Sequence, residues 1–103
     1  MFTLTESVYD IHSLLVLSTS HILAKDADLI LDEAFPGKGG DESSLLVYCG
    51  IPGDESFPLE AARSAGYSDP FMQVVETARR LGCRYLLLDN AGPTVDELPT
   101  YDW

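Results

Sequence analysis

Short apolar runs alternate with stretches of helical periodicity along this chain. Ser13 to Ser18 places four apolar residues between two serines, which predicts a first strand. A polar stretch follows, and apolar residues then recur at the spacing of one helical face, which predicts a helix that ends before Phe35. These positions are Leu23, Ala27, Ile30, Leu31 and Ala34.

A second strand is predicted over Ser44 to Ile51, where there is little polar alternation. Its continuous apolar character, like that of the first strand, predicts that both faces are buried. Lys38 to Glu42 precedes it and reads as a flexible, charged connection.

Two helices follow. Pro58 to Ala65 is predicted to form a short helix that Gly66 ends, and Ser68-Asp69-Pro70 combines capping residues with a proline suited to the first turn. Gly82 suits the left-handed residue that closes this second helix. Its predicted buried face contains Phe71, Val74, Val75, Ala78 and Leu81.

Arg84 to Asp89 predicts a third strand, and Asn90 to Pro93 has the composition of a turn. The tail, Thr94 to Trp103, carries enough apolar residues that we expect it to dock, and the turn would let it add a short edge strand. The predicted fold is a single α/β domain over residues 1–103, with β-α-β-α-β order and helices packed on a small sheet.

Charge narrows the classes of partner. The chain has 17 acidic and 6 basic residues and a formal net charge of −11, so we expect it to avoid nucleic acid and anionic membranes and to attract basic proteins. The start of the chain, from Met1 to Asp10, has no basic residue and no long apolar run, so it is expected to be neither a signal peptide nor a transit peptide. The apolar runs along the whole chain are too short for a transmembrane helix. Both features favour a cytoplasmic protein.

The sequence predicts neither a cofactor nor a metal. Cys49 and Cys83 lack the spacing of a zinc or redox pair and are expected to be reduced thiols near the core. No phosphate-loop pattern follows the glycines at 37–40. His12, His21, Asp10 and Asp89 have no spacing that would fix metal ligands on one face.

Four segments of the chain together resemble a family of small bacterial proteins of unknown function that are carried on plasmids and other mobile elements. They are Leu17 to His21, Ala78 to Cys83, Leu86 to Asp89 and Leu98 to Trp103. The middle, Lys38 to Tyr67, is longer than this resemblance leads us to expect. The resemblance implies a genomic setting in which small acidic proteins block host nucleases, and it implies no reaction.

These observations favour a non-enzymatic, acidic interaction module of a mobile element, such as an anti-CRISPR or anti-restriction inhibitor that occupies a basic nucleic-acid-binding surface. The partner would be a basic host protein or nucleoprotein complex, and the alternative for each carboxylate is a merely solubilising surface. The residues predicted to bind the partner are Asp26, Asp28, Asp32, Glu33, Asp41, Glu42, Asp54 and Glu55.

Two other functions stay open at this point. Ser18, His21 and Asp89 lie at predicted strand ends and are of the types needed for a small hydrolase or a ligand-binding site. A self-associating structural protein would instead show a symmetric apolar interface. An aromatic contact patch is also conceivable, against the simpler alternative of core packing, from Tyr67, Phe71, Met72, Tyr101 and Trp103.

Overall fold

Within the residues that the structure describes, four strands form one mixed sheet in the order β1-β4-β3-β2. The computed structural model describes residues 12–41, 43–51 and 53–102. Strand β1 pairs in parallel with β4, whereas β3 runs antiparallel to both of its neighbours. The strands are β1 (Leu14–Ser18), β2 (Gly37–Gly40), β3 (Ser44–Tyr48) and β4 (Tyr85–Asp89).

In the described part of the chain, the strands are connected by three α-helices and a short 3₁₀ turn: α1 (Ala24–Leu31), α2 (Leu59–Ala65), α3 (Asp69–Arg80) and the turn Thr19–His21. The predicted start of α3 is confirmed, because the Ser68 hydroxyl accepts a hydrogen bond from the Phe71 N–H at 3.2 Å. The predicted end of α2 is also confirmed, since Gly66 closes it with φ 110°. The fold class is therefore α/β, as the sequence predicts.

The order of the elements differs from the prediction because β2 occupies the segment expected to be a flexible connection. The chain runs β1, α1, β2, β3, α2, α3, β4. Glycine is rare in strands, but here it allows a close approach of two backbones. A Cβ atom at Gly37 would lie 2.8 Å from the Cα of Ile30 in α1, so only glycine fits where the helix crosses this edge strand.

The helices pack against one face of the sheet. Successive side chains of a strand point to opposite faces, and the buried apolar ones of β1, β3 and β4 all fall on the same side. Ile30 of α1, Ala62 of α2 and Phe71 of α3 belong to the same core. The sheet contributes Leu17, Leu45, Val47, Leu86 and Leu88 to it.

The other face of the sheet has no helix from the described residues on it, so the prediction that both faces of the strands are buried is wrong. Leu14 is 47% exposed and Val16 is 37% exposed. We call this surface the open face; Ser18, Ser44 and Asp89 lie at one end of it, and its apolar and aromatic residues are Leu14, Val16, Leu46, Tyr48, Tyr85 and Leu87. The last four are half-buried.

Two leucines predicted on buried helix faces are instead exposed. Leu31 is the last residue of α1 and is 42% exposed, and Leu81 follows the last residue of α3 and is 60% exposed. Both leucines lie at the C-terminal ends of their helices, beyond the part that is covered by the core. No helix in the described ranges is long and apolar enough to cross a membrane.

The tail docks as predicted, although residues 90–102 contain no strand. The Ser18 N–H donates to the carbonyl of Pro93 at 2.8 Å, and the Tyr101 N–H donates to the carbonyl of Ser20 at the same distance. Val95 and Leu98 pack against the core. Trp103, for which docking is also predicted, lies outside the described residues.

Candidate acidic interaction site

The carboxyl ends of β1 and β4 meet at one edge of the sheet because these two strands are parallel neighbours. Ser18 lies opposite Asp89 in the register, and the residues that follow each strand also meet. The Thr19 hydroxyl donates to the side-chain oxygen of Asn90 at 2.9 Å. Polar groups at this edge of an open α/β sheet commonly form a binding site.

Ser18, His21 and Asp89 share this edge, but the three side chains hydrogen-bond to other groups. The Ser18 hydroxyl lies 2.9 Å from the hydroxyl of Ser20. Asp89 accepts from the Ser44 hydroxyl at 3.3 Å and from the Ala91 N–H at 2.8 Å. In this structure no hydrogen bond joins the three residues into the relay that a serine hydrolase requires.

His21 holds the tail against the 3₁₀ turn. Its side chain is buried, and its Nε2 accepts from the Val95 N–H at 3.1 Å. Nδ1 therefore carries the ring proton and donates to the carbonyl of Pro99 at 2.8 Å. Both ring nitrogens are engaged by the backbone, so this histidine has a structural role here.

An open groove of about 350 Å³ lies beside the same edge, between α1 and the ends of the strands. Leu31, Ala27 and Leu45 give it an apolar floor, while Asp28 of α1 and Asp41 of the β2–β3 turn place two carboxylates on it. We call this the acidic groove, and its lining is completed by Thr19 and Asn90. Sequence reasoning did not assign Asn90 to a site, although its position directly after β4 was a signal.

Asp41 is held in place by its own turn. Its carboxylate accepts hydrogen bonds from the Ser43 N–H at 2.8 Å, the Ser43 hydroxyl at 2.8 Å and the Ser44 N–H at 3.0 Å. These hydrogen bonds lower the pKa of Asp41 below its ordinary value, with the Ser43 hydroxyl as the largest cause. The groove therefore has a charged group whose position is fixed before any partner arrives.

The C-terminal end of α1 and the two residues after it carry three exposed carboxylates, those of Asp28, Asp32 and Glu33. Asp32 is the C-cap residue, Glu33 follows it, and the last turn has no basic residue. Negative charge at a helix C-terminus is disfavoured by the helix dipole, typically by about 0.3–1 kcal/mol per charge. These carboxylates lie where helix stability alone would not place them.

Asp26 does not belong to the acidic surface, contrary to the prediction. Its side chain is fully buried and accepts from the Leu23 N–H at 2.9 Å, the Ser68 N–H at 2.8 Å and the Ser68 hydroxyl at 2.5 Å. It therefore joins the start of α1 to the start of α3. A buried carboxylate with three donors is a structural group.

Asp54 and Glu55 lie on the loop after β3. They are at the opposite end of the strands from Asp41, because β3 begins beside the groove and runs away from it. Asp54 accepts from the Ser56 N–H at 2.9 Å and the Ser56 hydroxyl at 2.6 Å. These contacts, the hydroxyl first, lower the pKa of Asp54. The structure thus does not bring these two acids together with those of α1. Glu42 lies outside the described residues.

The arginines of the described residues act away from the acidic groove. Arg63 lies 2.6 Å from Asp69, Arg80 lies 3.8 Å from Glu97, and Arg79 donates to the backbone carbonyls of Cys49 and Asp54. In residues 12–41, 43–51 and 53–102, no ion pair involves the exposed carboxylates of α1 or Asp41. The carboxylates on the α1 side therefore form no ion pair in this part of the chain, and the nearest cation in sequence is Lys25, three positions before Asp28 on the same helix.

The remaining candidates resolve into core groups. Tyr67, Phe71 and Met72 are buried and form no contact patch, whereas Tyr101 is half-buried. Cys49 is buried and burial raises its pKa to about 12, so it remains a protonated thiol. Within the described part of the chain, no group of three or more metal-ligating side chains is placed to hold an ion. Asp10 lies outside that part.

The fold and the groove define a small α/β domain with a four-stranded mixed sheet, helices on one face and an acidic site at the carboxyl edge of its parallel strands. A family model described as the C-terminal domain of a family of unknown function, DUF5983, matches residues 14–103, and the chain belongs to this family. Comparisons with curated proteins and with solved structures found no significant match.

Proposed function

We propose that this protein is a non-enzymatic interaction module of a bacterial mobile element that binds a basic surface through α1 and the acidic groove. The partner would be a cytoplasmic host protein or nucleoprotein complex, such as a CRISPR or restriction complex, whose nucleic-acid-binding surface the module occupies. The module itself would bind no nucleic acid, because its net charge of −11 repels phosphates.

One observation carries this proposal: Asp28, Asp32 and Glu33 remain unpaired near the unfavourable end of a helix dipole. If these acids served solubility only, any exposed position would do, and a helix C-terminus costs stability. Selection for binding a cationic surface explains why they lie there. Asp41 adds a charge that its turn keeps in a fixed position.

The groove also has the chemistry to accept a basic side chain. A lysine or arginine stem packs on apolar surface while its charged head meets carboxylates. Leu31 and Leu45 provide the apolar surface, and Asp28 and Asp41 provide the carboxylates. Long-range attraction between the two proteins would accelerate their encounter and weaken as salt screens it.

The test uses charge neutralisation on the intact chain. The variant Asp28→Asn/Asp32→Asn/Glu33→Gln removes three exposed charges from α1, and the matched control Glu76→Gln/Asp96→Asn/Glu97→Gln removes three from elsewhere. Host complexes are captured at low and high salt, identified, and their affinities measured. At about 0.5 kcal/mol per charge, the α1 variant should bind roughly tenfold more weakly at low salt.

The α1 variant should also show a flatter dependence of affinity on salt, and it should lose the ability to inhibit nuclease activity of the captured complex. The control variant should retain both. If the two variants weakened binding equally, the affinity would depend on the net charge of the protein and not on the acids near α1. Unchanged binding by the α1 variant at low salt would contradict the proposal directly.

A further inference from the structure

The two edge strands of the sheet differ in how they are protected against pairing with a further strand. Edge strands of natural proteins are commonly protected by a charged residue, a bulge or a covering helix, because their unpaired backbone groups attract other strands. The β2 edge has all three: Lys38, an irregular register between Gly37 and Gly39, and α1 packed against it. The β1 edge, Leu14–Ser18, contains no charged residue, no glycine and no proline.

The backbone of β1 directs hydrogen-bonding groups towards this unprotected side. The Ser13 carbonyl accepts from the first residue of β4 at 3.3 Å, whereas the Ser18 N–H donates away from β4, to the carbonyl of Pro93. Backbone groups of successive residues in a strand alternate in direction, so Leu14 and Val16 direct their N–H and C=O groups away from β4. Among the residues that the structure describes, these four groups have no hydrogen-bond partner.

Apolar side chains lie on both sides of these backbone groups. Leu14 and Val16 are exposed on the open face. On the side of the helices, a groove of about 320 Å³ lies between β1 and the end of α3, and its apolar lining includes Leu15, Leu81 and Val95. A strand that is added to β1 therefore covers exposed apolar surface on both faces and also satisfies the backbone.

We propose that this added strand is β1 of a second copy of the chain, paired antiparallel about a two-fold axis at Leu15. In this register Leu14 lies opposite Val16 of the second copy, so the outward groups of the two chains exchange four hydrogen bonds and none is left over. The tail already occupies the Ser18 N–H, which limits a partner strand to residues 13–17, and this register pairs only those residues. A two-fold axis closes the assembly as a dimer.

The net charge of −11 on each copy permits this arrangement, because the acids of α1 lie at the other edge of the sheet. The two β2 strands become the outermost of eight, about 34 Å apart. This separation is several times the Debye length of about 8 Å at physiological salt. At the β1 edge itself, Glu97 lies 3.8 Å from Arg80. The dimer goes beyond the proposed function and leaves both acidic grooves open.

The first test removes the outward N–H of Val16 in the full chain. Val16→Pro lacks this donor at a position where an edge strand tolerates proline, and the matched control Val16→Thr keeps the donor and the branched side chain. Association is measured by analytical ultracentrifugation from micromolar to millimolar concentration, and circular dichroism checks the fold. The loss of one hydrogen bond in each copy should weaken dimerisation about thirtyfold in Val16→Pro, and the control should stay within about threefold.

Val16→Lys serves if the proline variant does not fold, since it places a charge at the exposed edge and should also weaken dimerisation. Hydrogen exchange then tests the register without any substitution. The amides of Leu14 and Val16 should become protected as the concentration rises, whereas those of Leu15 and Leu17, which face β4, should be protected at every concentration.

A chain that stays monomeric at millimolar concentration would overturn the proposal, as would a dimer that is unchanged in Val16→Pro and Val16→Lys. Equal losses in Val16→Pro and Val16→Thr would also overturn it, and so would protection of Leu14 and Val16 that does not depend on concentration. Salt separates this inference from the proposed function, because screening should maintain or strengthen the dimer but weaken binding to a basic partner. A dimer that added salt dissociates would be held by the acidic surface, contrary to pairing through β1.

Discussion

Two aspartates that lie two positions apart on α1 occupy opposite environments. Asp26 is fully buried and accepts three hydrogen bonds, whereas Asp28 is exposed on the acidic groove. The helix periodicity of 100° per residue explains the difference, because two positions turn the side chain almost to the opposite side. One residue is needed for folding, and the other is available for binding.

The buried thiol of Cys49 and the buried hydroxyl of Tyr67 predict that the free energy of unfolding falls at alkaline pH. Burial raises the pKa of Cys49 from 9.0 to about 12 and that of Tyr67 from 10.0 to about 12. The folded chain keeps these protons where the unfolded chain releases them, so their contribution is complete below pH 9 and is lost as the pH rises towards 12. Each group should lower the free energy of unfolding by about 1.4 kcal/mol per pH unit within its range.

Urea unfolding at a series of alkaline pH values checks this expectation. For each variant, the drop in the free energy of unfolding is measured from neutral pH to each alkaline pH. This drop should be smaller in Tyr67→Phe and in Cys49→Ala than in the unmodified chain. A free energy of unfolding that stays constant up to pH 12 would show that neither group is protected in the folded state.

The burial of Asp26 has a sequence signal that the charge count hides. It lies three positions after Leu23, the N-cap of α1, where an acidic side chain can reach back to the N-cap N–H. The partner on the other side, Ser68, is 42 positions away, and no local pattern connects the two. The hydrogen bond from the Leu23 N–H to Asp26 can thus be predicted from the sequence, whereas those from Ser68 depend on tertiary packing.

Among the elements, the strands show which features local sequence patterns predict and which they do not. β1, β3, β4 and the three helices were predicted, because their apolar runs and capping residues are local features. β2 was missed since three of its four residues are glycine: the contact with α1 requires Gly37, while Gly39 and Gly40 have φ of 94° and 146°. A continuous apolar run such as Leu14 to Leu17 also gives no alternation, so it does not tell which side faces the core.

The joint between α1 and α3 provides a prediction at this scale. Asp26→Asn replaces one acceptor oxygen by a donor that faces other donors, and it should lower the free energy of unfolding by about 2–3 kcal/mol. Asp28→Asn, on the exposed side of the same helix, is the control and should change it by less than about 0.5 kcal/mol. Denaturant unfolding of both variants, combined with Ser68→Ala in a double-mutant cycle, measures the coupling.

A large coupling between Asp26 and Ser68 would locate the loss at the hydrogen bonds between the helices. If Asp26→Asn and Asp28→Asn were equally stable, the buried carboxylate would contribute nothing to the joint.

For the whole molecule, composition gives the sign of the charge but not its location. Seventeen acidic residues predict a negative protein. Only the structure separates Glu60, Asp69 and Glu97, which lie near arginines, from the acids at the end of α1, which form no ion pair. The location of the unpaired acidic side chains could therefore be predicted from the sequence only in part, and their role in binding stays a prediction.

The net charge also predicts how salt acts on folding. Like charges repel more strongly in the compact state, so screening should stabilise the folded chain and raise its melting temperature by about a few degrees between low and physiological salt. The α1 triple variant should show a smaller rise than the Glu76/Asp96/Glu97 control, measured by thermal unfolding in sodium chloride. A melting temperature that falls with added salt would mean that surface ion pairs outweigh the repulsion.

The glycine at position 37 has a consequence for protein engineering. A Cβ atom at position 37 would meet the Cα of Ile30, the hydroxyl of Tyr67 and the carbonyl of Ala34, so the spacing between α1 and the edge strand there does not depend on the side chain of Asp28 or Asp32. Residues 28 and 32 are therefore suitable for randomised libraries, in which new specificities would be selected on an unaltered scaffold, whereas Glu33 has φ 59° and is best kept.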